Sequence, residues 1–421
     1  NRSLEALERA GGEVVRSLPE VGIAIVVADA AFADRALGVR GVFDVGPVPA
    51  HSLPDTVEAA MPDDAHPTTA LLDAGLLWGI ERVQAPEAWA EGVTGSHDTV
   101  VAIIDTGIAW NHPDLAENVV HVDCFTSQAL CNPYPSLSDH GTHVAGTVAA
   151  AFDAGLAGFG GGIVGVGPGL GLAGYNTFEL IPGCGVCSYS DARWAAMIDS
   201  ANRGHAAINM SLGGYGFYGG GRSDGIATFI AAEKRVATYV AQAGTVMVAS
   251  AGNGGADLNG QLIHLPGDVP QMINVSATGI RGKGSEDEGW VPRYTDGARD
   301  VLAYYSNYGG AVDVAAPGGD CGQDDACDEN GPDDWFEYLV LSSTVRVVFE
   351  NEDGDPVPAP CAETFSCEPG YGWKAGTSMA APHVAGVVGL VADENPGLSA
   401  RQVVNVVQRS ADRLPDRQSF G

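Results

Sequence analysis

Ser378 stands in the run KAGTSMAAPHVAG, Lys374 to Gly386, directly ahead of a small-residue apolar stretch. Serine in that position is a common helix N-cap, and it becomes a nucleophile when a neighbouring base removes its proton. Two other stretches supply what a nucleophilic serine needs. His140 and His143 open SDHGTHVAGTVAA, Ser138 to Ala150, and Asp105 closes the apolar run VVAIID that begins at Val100. An imidazole takes the hydroxyl proton, and a carboxylate holds the imidazole tautomer and stabilises its charged form. The order aspartate, histidine, serine is one of the chain orders in which such triads occur. Asn253, in the turn AGNGG, carries an amide suited either to an oxyanion or simply to a glycine-rich turn.

Five motifs follow one another at domain-scale separations: DTGI at Asp105, HGTHVAG at His140, INMSLGG from Ile208 to Gly214, SAGN from Ser250 to Asn253, and GTSMAAPHVAG at Gly376. With them the chain from about Trp78 onward resembles the subtilisin-like serine peptidases, the subtilases. The resemblance implies that Ser378 is the nucleophile, His140 the general base and acid, and Asp105 the group that orients His140. His143 would be a packed helix residue. Asn253 would donate its amide to the oxyanion beside the Ser378 backbone N–H. Ser211, Leu212 and Gly213 would form an edge strand for an extended substrate, a recognition mode that relies on main-chain hydrogen bonds. Ser250, Ala251 and Gly252 would form the facing wall of the main specificity pocket. His264 would lie near its floor, where many relatives carry glycine, which puts a preference for large apolar side chains in question; His264 is read equally as a packed structural residue. Leu265-Pro266 is a candidate cis peptide. Asp114, in HPDL, matches a residue that relatives use for calcium, although the glycine-rich loop after the His140 stretch departs from the usual partner ligands.

These residues need a scaffold. Short apolar strands alternate with helical stretches from TVVAIID through AAINMSL, TVMVASAG, MINVSATG and AVDVAAPG to the Ser378 helix. This pattern predicts an α/β fold, a mostly parallel sheet covered by helices on both faces, with its site at the carboxyl ends of the strands. Residues 1–50 read as a small α+β unit: a helix at SLEALERAG, strands at EVVRSL and VGIAIVVA, a helix at AAFADRALG and a strand at VFDVG. It resembles the later part of a subtilase propeptide, an intramolecular inhibitor and folding aid, with the first strand missing. Residues 51–72 read as a proline-rich acidic linker that contains the processing site, and 73–421 as the catalytic domain. Within that domain, acidic cysteine-containing insertions are expected at about 320–337 and 345–370.

The composition narrows the class. The chain has 421 residues and a net charge of -32, with lysine only at 234, 283 and 374, which argues against a nucleic-acid partner. No apolar run is long enough for a membrane span. No charged-then-apolar leader follows Asn1, so any signal peptide is expected to lie outside this sequence. Eight cysteines allow 105 connectivities, but they fall in four close pairs. Local bridges Cys124–Cys131, Cys184–Cys187, Cys321–Cys327 and Cys361–Cys367 are therefore expected, in an oxidising exterior. Asp324, Asp325, Asp328, Asp353 and Asp355 are candidate calcium ligands in the insertions, although none fits an EF-hand and solvated acidic loops are the commoner reading. The expectation is a monomeric, secreted serine endopeptidase that processes its own proenzyme, needs no organic cofactor and holds structural calcium. The alternative is a catalytically silent binding protein of the same fold that retains its prodomain.

Overall fold

In the computed structural model the apolar runs become an eight-stranded sheet. The structure describes residues 2–60, 71–127, 131–135, 137–152, 162–217, 225–281, 299–321, 338–347 and 367–414. The sheet order is Arg299–Leu302, Met272–Arg281, Val246–Ser250, Ala207–Met210, Val100–Asp105, Gly171–Asn176, Val119–Cys124, with Val314–Pro317 also paired to Met272–Arg281. All pairings are parallel except that of Met272–Arg281 with Arg299–Leu302.

The central strands are buried on both faces, which explains why their sequences are continuously apolar rather than alternating. Val101 and Ile103 pack with Val144, Val148, Val384 and Val388 from helices His140–Ala149 and Thr377–Glu394. Their neighbours Ala102 and Ile104 point the other way, onto Trp194, Ile198, Phe229 and Val240 from helices Ser190–Asn202 and Ile226–Ala243. Each such aliphatic side chain contributes about 1.5–3 kcal/mol by leaving water. The expected α/β architecture is what forms.

Ahead of the sheet, helix Arg2–Arg9, the antiparallel pair Glu13–Leu18 and Ile23–Val27, and helix Phe32–Leu37 enclose Leu7, Phe32 and Ala36. Leu18, Val21 and Ile25 pack onto the Trp194 side of the large sheet, and Arg16 pairs with Asp191 at 2.9 Å. The strand expected at VFDVG does not form. Phe43 is 92% exposed, and this stretch pairs with no strand among the described residues.

The stretch read as a linker behaves differently over its first half. Ala50–Ser52 adds antiparallel to Gly185–Tyr189, and Val57–Ala60 adds antiparallel to Cys367–Ala375. Cys367–Ala375 itself forms a hairpin with Val340–Val347 on its other edge. Residues 61–70 lie outside the described residues, as do 322–337 and 348–366, which hold the acidic calcium candidates of the insertions.

Disulfides Cys124–Cys131 and Cys184–Cys187 form as expected, and Cys321 is disulfide-bonded. Cys327 and Cys361 lie outside the described residues. Among the described residues no helix is long and apolar enough to cross a membrane.

Candidate active site

Five chain segments converge at the carboxyl ends of adjacent parallel strands, where open α/β sheets place their ligands. Asp105 ends one strand, Ser211 follows the next, Asn253 follows the third, and the helices beginning at His140 and Thr377 point their N-termini into the same cleft. Ser378 is the second residue of its helix rather than its N-cap, which is Gly376. The serine is thereby released from capping, and its backbone N–H is among those that a helix leaves unpaired at its start.

Asp105 is fully buried; its Oδ1 accepts from the Thr106 N–H at 2.7 Å and from His140 Nδ1 at 2.8 Å. The close approach depends on glycine. A Cβ at Gly141 would fall on the Gly107 carbonyl oxygen and within 3.1 Å of the Asp105 Cβ. With Nδ1 committed to the carboxylate, the basic lone pair of His140 resides on Nε2, which is buried and has no hydrogen-bond partner among the described residues. Ser378 Oγ donates to the Ser211 carbonyl at 3.2 Å, and Ser211 Oγ donates to the Ser378 carbonyl at 2.7 Å. His143 spends its Nε2 on the carbonyls of Val340 and Gly372, at 3.0 and 3.1 Å, a structural role. Burial and the nearby Lys374 charge hold its pKa well below the usual histidine range.

Asn253 is aimed by Thr377. Its Oδ1 accepts from the Thr377 N–H at 2.9 Å and from Thr377 Oγ1 at 2.7 Å, which leaves Nδ2 facing the cleft. That amide donates to the Asp55 carbonyl at 2.8 Å. The main chain on either side of Asp55 runs along the cleft, since Leu53 N–H donates to the Val186 carbonyl at 3.1 Å and Val57 lies opposite Ala375. Asp55, Thr377 and Lys374 were not singled out as site residues by the sequence. The only available signal was that one of three lysines falls four residues before Ser378.

The stretches expected to form the substrate edge strand and the facing pocket wall lie on either side of His264. Ser211, Leu212, Ser250 and Ala251 are buried, and Gly213 and Gly252 face a shared space. The His264 ring occupies it: a Cβ built at Gly213 or Gly252 would meet the ring at 2.5 or 2.8 Å. Tyr215 meets His264 edge to face at 5.0 Å, and Asn307 donates to the Ala251 carbonyl at 2.7 Å. Burial pushes the His264 pKa down to about 4, so a neutral ring fills the slot near neutral pH. Leu265-Pro266 is cis, as expected.

Among the described residues, the surroundings of Asp114 do not fit a calcium ion; residues 153–161, in the loop expected to supply partner ligands, lie outside them. The Asp114 carboxylate is fully buried and accepts from Tyr371 Oη at 3.1 Å, Ser343 Oγ at 3.3 Å and the Ile163 N–H at 3.4 Å. A donor set of two hydroxyls and an N–H satisfies a carboxyl by hydrogen bonding, whereas calcium requires further oxygen acceptors turned inward. The described residues that could jointly hold a metal are His121, Asp123 and Asp199, which the sequence did not suggest. Asp199 is already paired with Arg203 at 2.6 Å and Tyr175 Oη at 2.9 Å.

Burial raises the Asp114 pKa to about 7, against an ordinary value of 3.8. The folded protein therefore binds a proton that the unfolded chain releases above pH 4. Its stabilisation is complete below about pH 4 and is lost as pH rises to about 7, a difference on the order of 4 kcal/mol. Asp114→Asn removes this dependence, so thermal midpoints measured from pH 5 to 8 should show the variant gaining several degrees on the parent as pH rises. Comparing the two cancels buried His112, whose depressed pKa of about 4 works in the opposite direction. Parallel curves for the two proteins would contradict the assignment.

A sequence profile of the subtilase family matches residues 96–421. Alkaline elastase YaB of Bacillus sp. is 29% identical over 373 residues, which cover 87% of this chain and 72% of that protein. Fervidolysin of Fervidobacterium pennivorans is 29% identical over 345 residues, 80% of this chain, but the match spans only 40% of fervidolysin's length. The crystal structure of fervidolysin, described as a keratinolytic enzyme related to subtilisin, superposes with a TM-score of 0.68 at 24% identity, covering 99% of this chain and 56% of that one.

Proposed function

The chain belongs to the subtilase family, and on that premise we propose that it is a secreted serine endopeptidase that cleaves peptide bonds through Asp105, His140 and Ser378, and that it is made as a self-processing proenzyme. One observation carries the reading. The Asn253 amide, beside Ser378, already holds a main-chain carbonyl, that of Asp55, in a segment paired as added strands on both sides of the cleft. Such strand addition is how a peptidase grips an extended chain without regard to its side chains.

The reaction follows from these contacts. Ser378 Oγ exchanges its bond to the Ser211 carbonyl for one to the free His140 Nε2, which takes its proton as Oγ attacks the carbonyl carbon. Asp105 keeps Nδ1 protonated and stabilises the imidazolium. The oxyanion lies between Asn253 Nδ2 and the Ser378 N–H. His140 then gives its proton to the departing amine, and water, deprotonated by the same nitrogen, releases the acyl group from Ser378.

In the protein's own chain this chemistry falls on the bond Asp55–Thr56. Residues up to Asp55 then act as the propeptide, which extends past the 1–50 unit into the presumed linker. The disulfides fit an oxidising exterior. The silent binding-protein alternative leaves the unpartnered His140 Nε2 and the aimed Asn253 amide without a purpose. The test is release of peptides from an unfolded protein by the wild type and by Ser378→Ala; equal rates would end the proposal.

A further inference from the structure

Lys374 is nearly enclosed, with 4% of its side chain exposed, on the strand that leads to Ser378. Its Nζ contacts Glu58 Oε1 at 2.7 Å and Asp139 Oδ1 at 3.0 Å, and Asp139 immediately precedes His140. Glu58 belongs to the added strand Val57–Ala60, and the pairing sets it opposite Lys374 while Val57 lies opposite Ala375. With the Asp55 carbonyl on Asn253, Glu58 is the third residue after the bond Asp55–Thr56. Thr56 Oγ1 also donates to Glu58 Oε1 at 2.7 Å, which fixes the carboxylate over the ammonium.

We propose that Lys374 forms a binding subsite for a carboxylate, so that the enzyme selects polypeptides with an acidic side chain at the third position after the cleaved bond, Glu58 of its own chain being the first such ligand. This rests on the peptidase reading above. After cleavage Glu58 stays with the new N-terminus at Thr56, and a substrate enters only once that strand has left the cleft; Lys374 then keeps Asp139 and loses Glu58. A desolvated ammonium left with one partner gains from a second carboxylate and is opposed by a cation. The main chain on either side of the subsite is held by strand pairing, which places the incoming side chain at the height of Nζ whatever the neighbouring residues are.

The test uses processed enzyme and three peptides, identical except for Glu, Gln or Lys at that third position. Charge-assisted hydrogen bonds outweigh neutral ones, and Glu58 is half exposed, so kcat/KM for the Glu peptide should exceed that for the Gln peptide about tenfold. In Lys374→Met the ratio should fall to about one, and in Lys374→Glu the Lys peptide should become the better substrate. Because the readout is a ratio within one enzyme, general damage to the variants cancels. A wild-type ratio near one, or a ratio that survives in Lys374→Met, overturns the subsite. Failure of the wild type to cleave any of the three overturns the peptidase reading and the subsite with it.

Discussion

Replacing Ser378 by alanine should lower turnover on an unfolded polypeptide by about a million-fold, the magnitude measured on subtilisin, a member of this family. The size follows from the geometry. Among the described residues His140 Nε2 has no hydrogen-bond partner, and Asp105 is committed to Nδ1 at 2.8 Å. Without the hydroxyl, base and carboxylate have nothing to activate, so the three groups fail as a unit rather than by thirds. Alanine leaves the fold intact, because the serine lies at the second helical position and caps nothing. Residual hydrolysis from the oxyanion donors should remain above the uncatalysed rate. A variant with a tenth of wild-type turnover would mean that another group attacks the carbonyl.

Asn253→Ala should lower kcat by roughly 100- to 1,000-fold with little change in KM, the range found when this donor is removed in subtilisin. On the proposed reading, substrate is held as the chain's own segment is, by strand pairing along Gly185–Tyr189 and Cys367–Ala375, so the ground state should lose little. The transition state loses more, because the amide donates to an oxygen that gains charge as Ser378 attacks. Thr377 supplies a check on this partition. It bonds Asn253 Oδ1 twice, and truncating it should weaken kcat in the same direction by freeing the amide to rotate. A change confined to KM for Asn253→Ala would mean that the amide serves binding alone.

The sheet was legible because its strands are buried on both faces, so VVAIID and VMVAS read as apolar runs with no polar alternation. The site was legible because its side chains sit in motifs whose small residues have a geometric cause, as Gly141 does against Gly107 and Asp105. What stayed hidden depended on main-chain or long-range contacts. The Asp55 carbonyl has no side-chain signature, and the proline-rich composition around it reads as free chain although two strand edges receive it. VFDVG has strand-forming residues yet pairs with no described strand. The surroundings of Lys374 were hidden because Glu58 and Asp139 reach it from distant parts of the sequence. The hydroxyls that bond Asp114, on Ser343 and Tyr371, were hidden because they come from a strand pair more than two hundred residues away.

The most direct measurement is the intact mass of freshly folded wild-type protein beside folded Ser378→Ala, followed by identification of the new N-terminus. The account predicts that the wild type separates between Asp55 and Thr56 while the variant stays whole. Two folded proteins that both remain whole, or that are cut alike, would contradict it.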